Sequence, residues 1–181
     1  AGQVLVEAGT ASGREPTVTM ELRSYLSAFL QETGASLGAE DEGSFEMRLL
    51  HFRRTFVEKL FAIHGKVELL KRDGRPIGSY ARHYYDLFQL GGQPEVRAML
   101  SSPEYAAIKA DYDQISRAFF AQSYFAPDGM SFAKSDAIFP SGELAAGLAR
   151  EYGLQCRLLC LGPSPSWEQV QARFDELRDV L

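Results

Sequence analysis

RRTFVEKLFAIHG, residues 53–65, and YARHYYDLFQL, residues 80–90, decide how this chain is read. In the first, Phe56, Leu60 and Ile63 recur at helical spacing, and Lys59 lies at the margin of that apolar face. A lysine there ordinarily lays its methylenes over the core and puts its ammonium into water. It can instead point into a cleft and neutralise a phosphate as a compact charge. In the second, Arg82 and Asp86 are four residues apart, so on a helix they share a face and form an ordinary i,i+4 ion pair. The helix is then expected to bury Tyr85 and its neighbours, with His83 beside Leu87. His64 closes the first helix, where the macrodipole favours a histidine. On spacing alone both segments are helices that hold neighbours in place.

Outward from this pair the chain alternates between a little strand and much helix. QVLVEAG, residues 3–9, is short, β-branched and apolar except for Glu7, and reads as a strand. A buried carboxylate on such a strand needs a partner or a metal. Residues 10–19 read as a loop, and residues 19–34 as a helix with a stripe of Leu22, Tyr25, Leu26 and Phe29, closed by Gly34. Residues 35–43 are an acidic linker. SFEMRLLHF, residues 44–52, alternates Phe45, Met47 and Leu49 as a strand. Thr55 and Glu58 have capping-box spacing, Gly65 is placed to stop the helix, and RDGRP breaks the chain.

Further on, Ser102 and Pro103 open a helix striped by Tyr105, Ile108, Tyr112, Ile115 and Phe119. Residues 126–142 are irregular, with room for one short strand, and a helix begins at Glu143. Ser166 and Gln169 form a capping box ahead of Val170, Phe174, Leu177 and Leu181, with Trp167 as a packing anchor. The expected fold class is α+β: a small sheet fragment and then a mainly helical body, divided as residues 1–52 and 53–181.

Composition excludes several functions. The 181 residues carry a formal charge of -5, so no global basic field draws the chain to nucleic acid or an anionic membrane. A local basic patch stays open at the short clusters HFRRTF and KRDGR, although most such clusters are solvated surface. Cys156 and Cys160 are too few for a disulfide framework, and with no apolar run near the ~20 residues of a membrane span the expected location is the reducing cytoplasm. Zinc-ligand spacing and a P-loop are absent from the sequence. Asp111 and Asp113 lie in a strongly helical stretch and read as solvated positions.

Arg54-Thr55-Phe56-x-x-Lys59, ending in Ile63-His64, followed by Arg82-His83-Tyr84-Tyr85-Asp86-Leu87, resembles the paired signature of the AbiEii/AbiGii nucleotidyltransferase toxin family. The resemblance extends upstream through VLVEAGTASGREPTVTMELRSYL and downstream through ISRAFFAQSYFAPDG, FPSGELAAGLAREYG and PSWEQVQARFDEL, nearly the whole chain. That family resembles the polymerase-β-like nucleotidyltransferases, whose Gly-Gly-Ser/Thr turn and Asp-x-Asp strand bind nucleotide and metal. Neither motif precedes Glu7, so the resemblance implies the carboxy-terminal part of a longer protein and little transferase activity in this chain alone.

The resemblance makes Lys59, Arg82 and Asp86 the catalytic residues and Glu7 the third carboxylate of an Mg2+ site. It makes a nucleoside triphosphate the donor, tRNA the candidate acceptor and a cognate antitoxin the candidate protein partner. His83 stands where many toxin members have aspartate. The alternative is a non-catalytic helical module that binds a partner protein.

Overall fold

Thr17, Val18 and Thr19 are β-branched, and a β-branched run favours the extended chain. In the computed structural model, which describes residues 13–38, 43–160 and 162–181, Thr17–Leu22 is strand β1 and Phe45–Leu50 is strand β2. They pair antiparallel, from Thr17 opposite Leu50 to Leu22 opposite Phe45. This corrects the expectation of a loop running directly into a helix at residue 19. The strand expected at residues 3–9, with Glu7, lies outside the described residues.

Helix α1, Tyr25–Thr33, starts where Ser24 Oγ accepts the Ser27 amide at 3.0 Å. It ends at Gly34, which takes the left-handed φ of 64° that a side chain would disfavour. The expected apolar stripe does not face a core. Tyr25 is 98% exposed and Phe29 58%, while Ser27 and Leu30 are the buried positions. By contact the chain divides into two units, Arg14–His51 with this strand pair and helix, and a helical unit from Phe52 to Leu181.

The helical unit is organised on α2, Phe52–Asp73, 22 residues long. Phe56, Val57, Leu60, Phe61, Ile63 and Val67 are all buried, so apolar side chains cover most of its circumference. Such a helix is a central one rather than a surface one. The helix already begins at Phe52, so Thr55 and Glu58 stand inside its first turns rather than at a cap. It also runs through Gly65 to a left-handed Gly74 at φ 68°. An interior glycine costs about 1 kcal/mol in propensity, which the buried side chains on either side outweigh.

A 3-10 turn, Gly78–Arg82, leads into α3, His83–Gly91. Then follow α4, Pro94–Leu100, α5, Pro103–Phe119, α6, Gly142–Leu159, and α7, Trp167–Leu177. Helix α4 has no counterpart in the sequence reading. Residues 126–142 hold 3-10 turns at Asp128–Met130 and Phe132–Lys134, and no strand. Among the described residues no helix is long and apolar enough to cross a membrane.

Helix α2 packs against α3, α4 and α5, while α3 packs against α7 and the 3-10 turn packs against α6. Tyr84, not Tyr85, is the fully buried aromatic of α3. Its hydroxyl donates to the Ala137 carbonyl at 2.7 Å, and its ring meets Trp167 edge-on at 4.9 Å. Helix α7 follows expectation: both bonds of the Ser166–Gln169 capping box form, and Val170, Phe174, Leu177 and Leu181 are buried. On α5, Ser102 caps and Tyr105 and Ile108 are buried, but Phe119 is 65% exposed as the last turn leaves the core.

Candidate active site

Lys59 sits one position before the buried Leu60 on α2, so its stem crosses the edge of the core toward α3. There its Nζ lies 2.7 Å from Asp86 Oδ2 and 3.0 Å from His83 Nδ1. The α2–α3 contact thus carries a Lys–His–Asp cluster. Burial works against ionisation of Asp86, but the close His83 ring, the Lys59 hydrogen bond and the Lys59 charge outweigh it and hold the carboxyl below its ordinary range.

His83 Nδ1 is also 3.3 Å from Asp86 Oδ2. One ring nitrogen cannot accept from Lys59 and donate to Asp86 at the same time. The shorter 3.0 Å contact assigns Nδ1 as the acceptor from the ammonium, which leaves the ring proton on Nε2. Lys59 then donates to both partners and is held in one orientation.

Arg82 closes the 3-10 turn and is exposed. The expected Arg82–Asp86 ion pair does not form: Asp86 is taken by Lys59, and among the described residues Arg82 makes no ion pair. The two residues instead share the wall of a cavity of 320 Å³, with Tyr85, Gln155, Cys156, Leu159 and Cys160 as the remaining lining. Both thiols are free, Cys156 buried and Cys160 partly so. Burial, the neighbouring Cys156 thiol and the Asp86 charge push the Cys160 thiol above its ordinary value, away from thiolate.

Of the four residues singled out by resemblance, Lys59 and Asp86 are in direct contact, Arg82 flanks Asp86 across the cavity wall, and Glu7 lies outside the described residues. His83 entered the sequence reading only as an oddity, yet it completes the cluster. Its signal was its three-residue spacing from Asp86, which places both side chains on one helical face.

Three other polar sites lie outside this cluster. Arg54, read as solvated, is only 2% exposed, with Nε 2.8 Å from Glu58 and a terminal nitrogen 2.6 Å from Asp111. This clasp ties α2 to α5 and gives Asp111 a partner. Asp113, also read as merely solvated, accepts from Arg117 and from the Tyr124 hydroxyl at 2.6 Å. His64 lies mid-helix, because α2 continues past it. It is buried with Nδ1 2.8 Å from Ser135 Oγ, and burial lowers its pKa below 6.5.

Among the described residues no three His, Cys, Asp or Glu side chains converge as a metal site. Asp86 is a single carboxylate already holding an ammonium, so the described donor set does not fit a two-metal centre. What the arrangement offers is positive charge beside a small cavity: an oriented lysine and an arginine without an ion pair among the described residues. No curated protein and no solved structure matches the chain. Residues 1–173 match the family described as nucleotidyl transferase AbiEii toxin of type IV toxin–antitoxin systems, and the chain belongs to that family.

Proposed function

We propose that this chain carries part of the site that moves a nucleotide from a nucleoside triphosphate to an acceptor hydroxyl, with tRNA as the acceptor class. The observation that carries the reading is the 2.7 Å Lys59–Asp86 contact between α2 and α3, placed beside the Arg82 cavity. In such a transfer the acceptor oxygen bonds to the α-phosphorus while the bond to pyrophosphate breaks and its electron pair leaves with pyrophosphate. The acceptor gives up its proton to solvent water. The protein contributes mainly position and positive charge.

Lys59, fixed by Asp86 and His83, and Arg82 meet the phosphates in this scheme. Asp86 and His83 orient Lys59. Mg2+ with Glu7 as a ligand belongs to the reading through family resemblance alone, and because the described donors do not fit it, no step is assigned to it. A cognate antitoxin in the same cytoplasm completes the proposed setting.

The test is incubation of this chain with labelled nucleoside triphosphate, Mg2+ and tRNA, beside the protein as its gene encodes it. The expected outcome is transfer by the gene-encoded protein and little or none by this chain. Robust product from this chain alone would overturn the view that it needs further carboxylates.

A second reading, a partner-binding module without chemistry, is favoured by one observation. Helix α1 turns Tyr25, Leu26 and Phe29 outward, at 98%, 56% and 58% exposure. Loss of antitoxin co-purification on Tyr25→Ser and Phe29→Ser, with transfer absent even in the gene-encoded protein, supports it.

A further inference from the structure

The cavity beside Asp86 is chemically two-ended. At one end stand Arg82 and the Lys59-bound Asp86. Elsewhere the lining is soft and uncharged: the half-buried Tyr85 ring, Leu159, both thiols and the amide of Gln155. Gln155, Cys156 and Leu159 come from one face of the last turns of α6, spaced i, i+1 and i+4, and Cys160 follows as the residue that caps the helix. Packing of α6 against the 3-10 turn sets that face opposite Arg82.

An inorganic phosphate has no use for an aromatic and aliphatic wall. A purely apolar ligand has no use for an exposed arginine. At 320 Å³ the cavity is at the small end of ligand sites, room for one flat ring with its sugar.

We propose that this cavity is a nucleobase pocket, with the base between Tyr85 and Leu159, its polar edge on the Gln155 amide, and its phosphates at Arg82 and Lys59. The proposal rests on the transfer reading above and deepens it. Aromatic stacking is tolerant of base identity because every base has a π-face. The Gln155 amide turns over to present donor and acceptor in either order, so it fits several base edges. The pocket therefore selects for a base being present more than for which base it is. The base comes from the donor triphosphate or from the terminal nucleotide of an RNA acceptor.

The two cysteines of the chain both line this cavity, so alkylation reports its occupancy directly. The gene-encoded protein is treated with N-ethylmaleimide in the presence of tripolyphosphate, of each nucleoside triphosphate, or of a short single-stranded oligoribonucleotide. Modification of Cys160 is followed by mass spectrometry, and tripolyphosphate affinity is measured in parallel by calorimetry.

Nucleotides are expected to slow Cys160 alkylation at least about tenfold, and tripolyphosphate less than about twofold. Protection by triphosphates alone identifies the donor base, and protection by the oligoribonucleotide alone identifies the acceptor base. Tyr85→Leu and, separately, the partly exposed Gln155→Ala are expected to weaken nucleotide binding about five- to a hundredfold, the range of losing one stacked or paired base. Neither changes tripolyphosphate affinity.

If tripolyphosphate protects as well as any nucleotide, or if both variants bind nucleotides normally, the base pocket is overturned while the phosphate reading stands. If tripolyphosphate and nucleotides alike fail to bind, the transfer reading and the pocket fall together.

Discussion

Replacing Lys59 by methionine separates the two roles open to a lysine at the edge of a core. Methionine keeps a flexible apolar stem over the neighbouring side chains and removes the ammonium. The lost interaction is a 2.7 Å charge-assisted hydrogen bond to Asp86, together with the 3.0 Å contact to His83. Such bonds reach about 1.5–3 kcal/mol when buried. Asp86, however, is 37% exposed and Lys59 21%, so water screens the pair and about 1 kcal/mol of stability is the expected loss. For a chain of 181 residues that is a fall of about 2–4 °C in Tm, read by scanning calorimetry.

On the transfer reading the functional loss is much larger. Removing one preorganised donor from developing phosphate charge costs about 100- to 1000-fold in kcat. The assay is incorporation of labelled nucleotide into RNA by the gene-encoded protein, under single-turnover conditions. The reasoning is refuted if turnover stays within about fivefold of the parent. It is also refuted if Tm drops by more than about 10 °C, which would make Lys59 a structural residue.

Two further predictions concern the helical unit. His64 has a pKa below its ordinary 6.5 because it is buried, and Glu68, Lys71 and Asp128 are the charges around it. The folded chain therefore binds fewer protons at His64 than the unfolded one. Stability is complete above pH 6.5 and falls as the pH drops toward the folded-state value, by at most about 1.4 kcal/mol at pH 5.5. A urea midpoint whose fall between pH 7 and 5.5 is as steep in His64→Gln as in the parent would refute this. Arg54→Ala removes a guanidinium only 2% exposed and strands Glu58 and Asp111, which still reach water, so a loss of about 2–3 kcal/mol is expected by urea unfolding. A loss under about 0.5 kcal/mol would show that the α2–α5 clasp contributes nothing.

The sequence was most legible where local chemistry and burial agree. The Ser166–Gln169 box and the Val170, Phe174, Leu177, Leu181 stripe need nothing beyond their own helix, and both appear as expected. It was least legible where a distant partner decides. Gly65 and the His64 that precedes it resemble a helix end, but packing of Val67 and Leu69 into the core carries α2 onward. Arg54 reads as surface until Asp111, 57 residues later, arrives to satisfy it. TMELRSYL has helical spacing throughout, yet its first residues form a strand because FEMRLL pairs with them. Periodicity cannot reveal a hydrogen-bonded neighbour that comes more than twenty residues later.

The choice Asp86 makes shows why spacing also misassigned the site. An i,i+4 arginine on an exposed turn is always within reach, but such a pair is worth only about 0.3–0.5 kcal/mol and both side chains keep their freedom in water. Helical side chains lean toward the N-terminus, so the Asp86 carboxylate leans back over the first turn of α3. There α2 delivers Lys59 from the edge of the core, its ammonium already desolvated on one side and held by His83. The less hydrated site strengthens the Lys59–Asp86 attraction and leaves Arg82 without a carboxylate partner among the described residues. The i,i+4 pair would have consumed Arg82 and left Lys59 without its carboxylate. Asp86 instead holds Lys59 and orients it, and Arg82 stays available to an incoming anion at the wall of the same cavity.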